Sequence, residues 1–358
     1  MPQSPIRYNP SVETPETDEA ETDRQLVETL RNISDITYRD SGQALRSVHA
    51  KSHGLLRGEL QVKDGLPSTL AQGLFAKAGR YPVIMRFSTS PGDILDDSIS
   101  TPRGLAVKVV GVEGDRLPGS EGDSTQDFVL VNGPAFSAPN VGKFLGNLKM
   151  LAKTTDKAEG LKKVLSAALR GIESLVEAAG GKSATVITLG GHPETDILGE
   201  TFFSQAPIRY GDFIAKVAVA PVSPELTART NAPLNVNGKP DGLRDNVREF
   251  FASQSAVWEL RVQSCTDLEK MPVEDASKPW PDDLSPYVAV GRITVAPQDA
   301  WSDANIKAVD DGTSFSPWHG LAAHQPLGSI MRARKAAYKM SADLRGQRSG
   351  CPMHEPRI

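Results

Sequence analysis

Cysteine is nearly missing from this 358-residue sequence, which holds only Cys265 and Cys351. Two thiols make neither a disulfide framework nor a thiolate-built metal centre. Histidine and tyrosine are scarce as well, six of each, so each can be weighed by its neighbours. A basic excess is also lacking: 40 Lys and Arg against 44 Asp and Glu leave a net charge of −4. That sign excludes a broad phosphate-contacting surface, so no nucleic-acid partner is expected. No apolar run approaches the roughly 20 residues that span a bilayer. Residues 1–24 lack the basic and apolar regions of a secretory signal. These shortages point to a cytoplasmic protein without a membrane span. What remains, 39% hydrophobic and 23% charged, is enough for a large core, and length alone suggests about two domains.

The order of segments argues for one domain instead. Residues 1–24, with Pro5, Pro10, Pro15 and an acidic cluster, read as a disordered or extended arm. Leu26, Leu30, Ile33 and Ile36 then recur at helical spacing. Seven alternating or β-branched runs follow: Gly58–Val62, Tyr81–Thr89, Arg103–Val112, Asp127–Asn132, Asp212–Ala220, Val257–Ser264 and Tyr287–Val295. Gly, Pro and Asp punctuate the gaps, and no helix falls regularly between neighbours. The expected fold class is therefore α+β, an antiparallel β-barrel with surrounding helices. Helical patterns lie at 141–180 (Phe144, Leu148, Leu151, Leu161, Leu165, Leu169, Ile172, Val176), near 242–252 and at 329–345. No linker separates two halves, so residues 25–345 read as one domain with a helical insertion around 141–180, and 346–358 as a tail.

Several tempting features carry little. GGKS at Gly180–Ser183 resembles the end of a phosphate-binding loop, but Val176 stands where the motif needs glycine and a helix precedes it. CPMH at Cys351–His354 pairs a thiolate with an imidazole, yet a chain end reads as a solvated tail. His192, His319 and His324 read as surface or hydrogen-bonded histidines.

Three segments carry more. RSVHAKSHG at Arg46–Gly54 places His49 three residues after Arg46, ahead of a strand. MRFSTSPGD at Met85–Asp93 and TPRGLAVKV at Thr101–Val109 set Arg86, Ser88, Arg103 and Lys108 among apolar strand positions. Buried charge is costly unless partnered, and an anionic group held inside the fold would resolve that cost. In the last helix Arg334, Tyr338 and Arg345 share one face. Positive charge nearby lowers a phenol pKa, which suits a phenolate; an exposed tyrosine in cation–π contact is the equal alternative.

Those residues resemble the catalases, most closely the shorter catalase-related haem peroxidases, over about Leu26 to Arg345. The resemblance rests on ordered blocks: RSVHAK, MRFSTSPGD, TPRGLAVKV, DFVLVNGPAF, KPWPDDLSPYVAVGRITV, SFSP at Ser314–Pro317, and RKAAY followed by Arg345. It implies a catalase-like barrel whose C-terminal helix ligates haem b. Tyr338 would be the axial ligand of the haem iron, as tyrosine is in catalase. Arg334, one turn earlier, would hold it ionised. His49 would be the distal acid–base, Asn132 its partner in positioning peroxide, and Ser88 the hydroxyl that fixes the His49 tautomer. Arg46, Arg86 and Arg345 would pair with the propionates, and Phe136 would line the pocket. Gly133 stands where the family has threonine, and Ser137 where a second aromatic is expected.

The implied activity is that of a haem-dependent peroxidase. Hydrogen peroxide or an organic hydroperoxide is reduced through a ferryl intermediate, a small organic donor supplies electrons, and partial catalase activity accompanies it. A homo-oligomer is left open. One rival is a hydroperoxide isomerase of the allene oxide synthase type; there Thr precedes the distal His, whereas Val48 precedes His49 here. The other is a non-catalytic haem-binding protein on the same scaffold, against which the His49, Asn132 and Tyr338 set argues.

Overall fold

The computed structural model describes residues 4–90, 92–152, 192–350 and 353–356. Its strands are β1 (Lys51–Val62), β2 (Gly79–Thr89), β3 (Arg103–Val110), β4 (Thr125–Val131), β5 (Phe202–Phe203), β6 (Ile208–Tyr210), β7 (Phe213–Pro221), β8 (Ala256–Ser264) and β9 (Val288–Val295). They pair in the order β5–β4–β3–β2–β1–β9–β8–β7–β6, and β5 also pairs with β7. That extra pairing closes an antiparallel eight-stranded barrel and leaves β6 as an outer partner of β7. All seven expected runs are strands. The two that escaped, β5 and β6, are two and three residues long, too short for alternation to register.

Alternation sorts the strands into two faces. Val83, Met85 and Phe87 of β2, Leu105, Val107 and Val109 of β3, and Phe128 and Leu130 of β4 join Trp258, Leu260 and Val262 in the main core. The opposite positions, among them Arg86, Ser88, Gly104 and Lys108, face outward and are nevertheless buried. Val309 and Phe315 cover this outer face at Leu55, Ile84 and Ala106.

The helices among the described residues are α1 (Glu19–Ser41), α2 (Val141–Ala152), α3 (Pro224–Thr227), α4 (Gly242–Phe251), α5 (Asp303–Asn305) and α6 (Ser329–Ser349). None is long and apolar enough to cross a membrane. Helix α2 covers the start of the helical pattern expected at 141–180, and the rest of that pattern lies outside the described residues. Leu26, Leu30 and Ile33 of α1, Val141, Leu145 and Leu148 of α2, and Ala333, Ala337 and Met340 of α6 form a second core. Each large side chain buried there is worth about 1.5–3 kcal/mol. Val48 packs against this layer, so the segment before β1 is held between barrel and helices.

Helix α1 begins at Glu19, ahead of the expected edge at residue 25, with Glu19 and Glu21 in its first turn, where the helix dipole favours acids. From residue 4 the arm before it is tied to the segments around Asp212 and Cys265. Ile6 and Tyr8 N–H groups donate to the Cys265 and Asp212 carbonyls, each at 2.8 Å. Arg332 of α6 fastens its end, 2.7 Å from Glu13 and 2.6 Å from Glu19.

Candidate functional site

His49 lies in the turn that feeds β1. Ser47 pins that turn from both sides: its hydroxyl bonds that of Ser34 in α1 at 2.8 Å, and its N–H donates to Ser341 of α6 at 3.2 Å. The backbone of His49 is left-handed, with φ +52°, a conformation costing a non-glycine residue about 1–3 kcal/mol. Arg86 offsets that cost by donating to the His49 carbonyl at 2.9 Å. The His49 Nδ1 sits 3.2 Å from the Ser88 hydroxyl. Beneath it lies Gly104, where a Cβ would approach Nδ1 to 2.6 Å; only glycine leaves the ring its place. Burial, with the Arg86 and Arg334 guanidiniums, pulls His49 down to about 3, so the imidazole is neutral. With Nδ1–H donated to Ser88, Nε2 becomes a proton acceptor.

One stripe of α6 faces this turn. Arg334, Tyr338, Ser341 and Arg345 follow helical spacing, and Ser341 holds Ser47. Tyr338 is half-buried, and its hydroxyl makes no hydrogen bond among the described residues. Arg334 lies over the Phe136 ring at 5.3 Å and touches the Met331 sulfur at 3.5 Å. Phe136 in turn packs edge-on against Phe144, with ring centres 4.9 Å apart.

Arg46, Arg86 and Arg345 converge, and the residue on which they converge escaped the sequence reading. Asp310 Oδ1 accepts from Arg46 at 2.6 Å, from Arg86 Nε at 2.8 Å and from the Ser52 hydroxyl at 2.8 Å. Arg345 donates to the Asp310 carbonyl at 2.9 Å and to that of Thr313 at 3.0 Å. Burial alone would raise the Asp310 carboxyl, but the Arg86 and Arg46 guanidiniums outweigh it and hold it well below the carboxylate range. Two guanidiniums thus share the Asp310 carboxylate, the third, Arg345, bonds the carbonyl of the same residue, and Asp311 lies at the rim. Burial and mutual repulsion push Arg345 down to about 10 and Arg46 well below its ordinary value. The cluster keeps an unspent positive charge that an anionic group would complete. The residues fit a dianionic cofactor: surplus guanidiniums at one end, the neutral His49 imidazole near them, and on the α6 stripe a phenol without a hydrogen bond among the described residues.

Asn132 lies at the end of β4, one step past the Val131–Gly104 pair, and its side chain bonds Arg103, His192 and Glu200 and, among the described residues, none of those above. Its Oδ1 accepts the Arg103 N–H at 2.9 Å. Its Nδ2 donates to Glu200 and, at 2.7 Å, to Nε2 of His192. A side chain on Gly133 would meet nothing closer than 3.7 Å, so the glycine leaves room beside the amide.

Two expectations need correction. A single internal anion was to answer all the charged strand residues; instead Arg103 pairs with Glu200 at 3.3 Å, and Lys108 pairs with Asp127 and Glu355, each at 2.7 Å. Such carboxylates come from distant segments, so no local pattern announces them. Residues 353–356 of the tail expected to be solvated are docked. Glu355 reaches Lys108, the His354 N–H donates to the Gly312 carbonyl at 2.8 Å, and the Met353 sulfur lies 2.8 Å from Arg345. Cys351 and the GGKS segment lie outside the described residues. His324 accepts the Leu74 N–H at 3.0 Å, and His319 lies 3.4 Å from Asp123. His324 is a hydrogen-bonded histidine, as expected, whereas the His319 Nε2 is buried without a hydrogen bond among the described residues.

No family model matches the sequence, and no curated protein does. Solved structures do. Catalase A from Saccharomyces cerevisiae superposes over 88% of this chain with a TM-score of 0.58 and 18% identity. A fungal catalase does so over 91% with a TM-score of 0.56 and 18% identity, and a bacterial catalase over 98% with 0.56 and 16%. The fold is that of the catalases. This chain spans 63% of the length of the yeast protein and 66% of each of the other two.

Proposed function

We propose that this chain binds haem b between the His49 turn and helix α6 and reduces hydrogen peroxide or organic hydroperoxides with electrons from a small organic donor. The observation that carries the reading is the excess of guanidinium over carboxylate at Arg46, Arg86 and Arg345, beside a neutral imidazole and a free phenol. Arg46, Arg86 and Arg345 would hold the propionates as charge-assisted pairs. The Tyr338 oxygen would ligate the iron, with the Arg334 guanidinium favouring its ionised form. Phe136 would line the pocket. Bound haem would supply the redox-active iron at which the O–O bond breaks.

The protein's own part is proton management. His49 Nε2 takes the proton from one peroxide oxygen and returns it to the other, which then leaves as water or an alcohol. Ser88 keeps the accepting tautomer, Gly104 lets the ring lie against β3, and Asn132 donates to the peroxide. Catalatic and peroxidatic fates share these groups, so the assay must separate them. The haem-loaded chain is given hydrogen peroxide with and without a phenolic donor. Donor oxidation exceeding oxygen release is expected. His49→Ala should lower turnover by about 10²–10⁴-fold while haem is retained; unchanged turnover overturns the reading. Rearranged hydroperoxide formed without donor consumption would replace it with the isomerase.

A further inference from the structure

We propose that Glu200 is a positioning residue for the distal side: with the Arg103 peptide N–H it clamps the Asn132 carboxamide in one orientation and sets what Asn132 can offer a peroxide. The inference rests on the function proposed above. An asparagine amide can usually be turned end for end, but here the partners decide. The Arg103 N–H can only donate, so it takes Oδ1. An ionised Glu200 can only accept, so it takes Nδ2. One amide hydrogen is committed to Glu200 and the other points at His192 Nε2, 2.7 Å away. Only this second hydrogen can pass to a peroxide oxygen.

Glu200 is itself held. Its Oε1 accepts from the Thr195 hydroxyl at 2.8 Å and lies 3.3 Å from the Arg103 guanidinium, and its side chain is 10% exposed. The segment that carries it is fixed at Asp196, which pairs with Arg229 and accepts from Asn246 at 2.9 Å. Arg103 therefore grips both members: its peptide holds the amide oxygen, and its guanidinium holds the carboxylate that takes the amide nitrogen. Without Glu200, the Asn132 amide loses its charged acceptor and can swing out of register with His49.

The test is a double-mutant cycle on the haem-loaded protein, read by optical titration with cyanide and by kcat/KM for hydrogen peroxide. Glu200→Ala and Asn132→Ala should each weaken both by about tenfold, as loss of one charge-assisted hydrogen bond implies. The double variant should be no worse than Asn132→Ala, because Glu200 acts through that amide. Glu200→Gln, which can still accept, should keep most of the wild-type value. Additive losses, or a Glu200→Ala protein equal to wild type, overturn the proposal. If Glu200→Ala does not fold, Thr195→Val must give a smaller loss that is again absent in the Asn132→Ala background; a loss that persists there overturns it. In the cofactor-free chain the Asn132 side-chain amide protons should resist exchange, and Glu200→Gln should retain that protection. Unprotected protons in the wild type refute the clamp. A protected amide in a protein that turns over no peroxide refutes the proposed function alone.

Discussion

Two buried cation clusters share the outer face of the barrel, and their charge balance differs. At Lys108 one ammonium, with no exposed surface, meets the carboxylates of Asp127 and Glu355. At Arg86, on the neighbouring strand, the Arg86 and Arg46 guanidiniums share the Asp310 carboxylate while Arg345 bonds the Asp310 carbonyl, with Asp311 at the rim. Carboxylates outnumber cations in the first and burial pushes Asp127 up to about 7, with Lys108 opposing and Glu355 reinforcing the shift. In the second, cations are in excess and Asp310 is driven down. Both had the same signature in sequence, a basic residue on an apolar strand. The difference teaches that a buried cation by itself marks no ligand site. A cluster closed by the chain's own carboxylates is architecture, whereas one left cationic has a place for an outside anion.

Substitutions can break that contrast. Lys108→Met strands the buried Asp127 and the half-buried Glu355 carboxylates and should cost about 3–5 kcal/mol of stability, measured by denaturant unfolding, while haem bound per folded molecule stays unchanged. A loss of haem would move Lys108 into the site. Asp310→Asn keeps the shape but removes the shared charge, and should cost the cofactor-free chain about 1–3 kcal/mol. Haem should then raise the melting temperature more in the variant than in the wild type, because propionates supply the missing charge. An equal rise would mean that the arginines are not where the cofactor binds.

The smallest effect is one of pH. The folded Asp127 carboxyl is raised from 3.8 to about 7, so the native state holds its proton more tightly than the unfolded chain does. Its contribution to stability is full below the unfolded value and lost as pH rises through about 7. Asp127→Asn should flatten that part of the stability profile, followed as melting temperature against pH. A profile unchanged by the substitution would show that Asp127 and Glu355 share no such strain.

The barrel was largely legible in the sequence because long strands with one face in the core repeat every second residue. The short strands β5 and β6 offered no such period. Within the site, His49, Ser88, Tyr338 and the three arginines stood in readable blocks. Asp310 did not: it lies 264 residues from Arg46 and 224 from Arg86, on a π-helical turn at Ile306–Asp311 that no spacing rule marks. Glu200 was missed for the same reason, and so was the docking of Glu355. Partners supplied across the fold are set by packing, which leaves no local trace.

The central claim is that the cationic cluster, His49 and Tyr338 form one haem site. Its most direct test is an optical titration of the cofactor-free wild-type chain with haem, run beside Tyr338→Phe. One haem per chain is predicted, with a tyrosinate-type ferric spectrum in the wild type that the variant lacks. No saturable binding, or the same spectrum from both proteins, would contradict it.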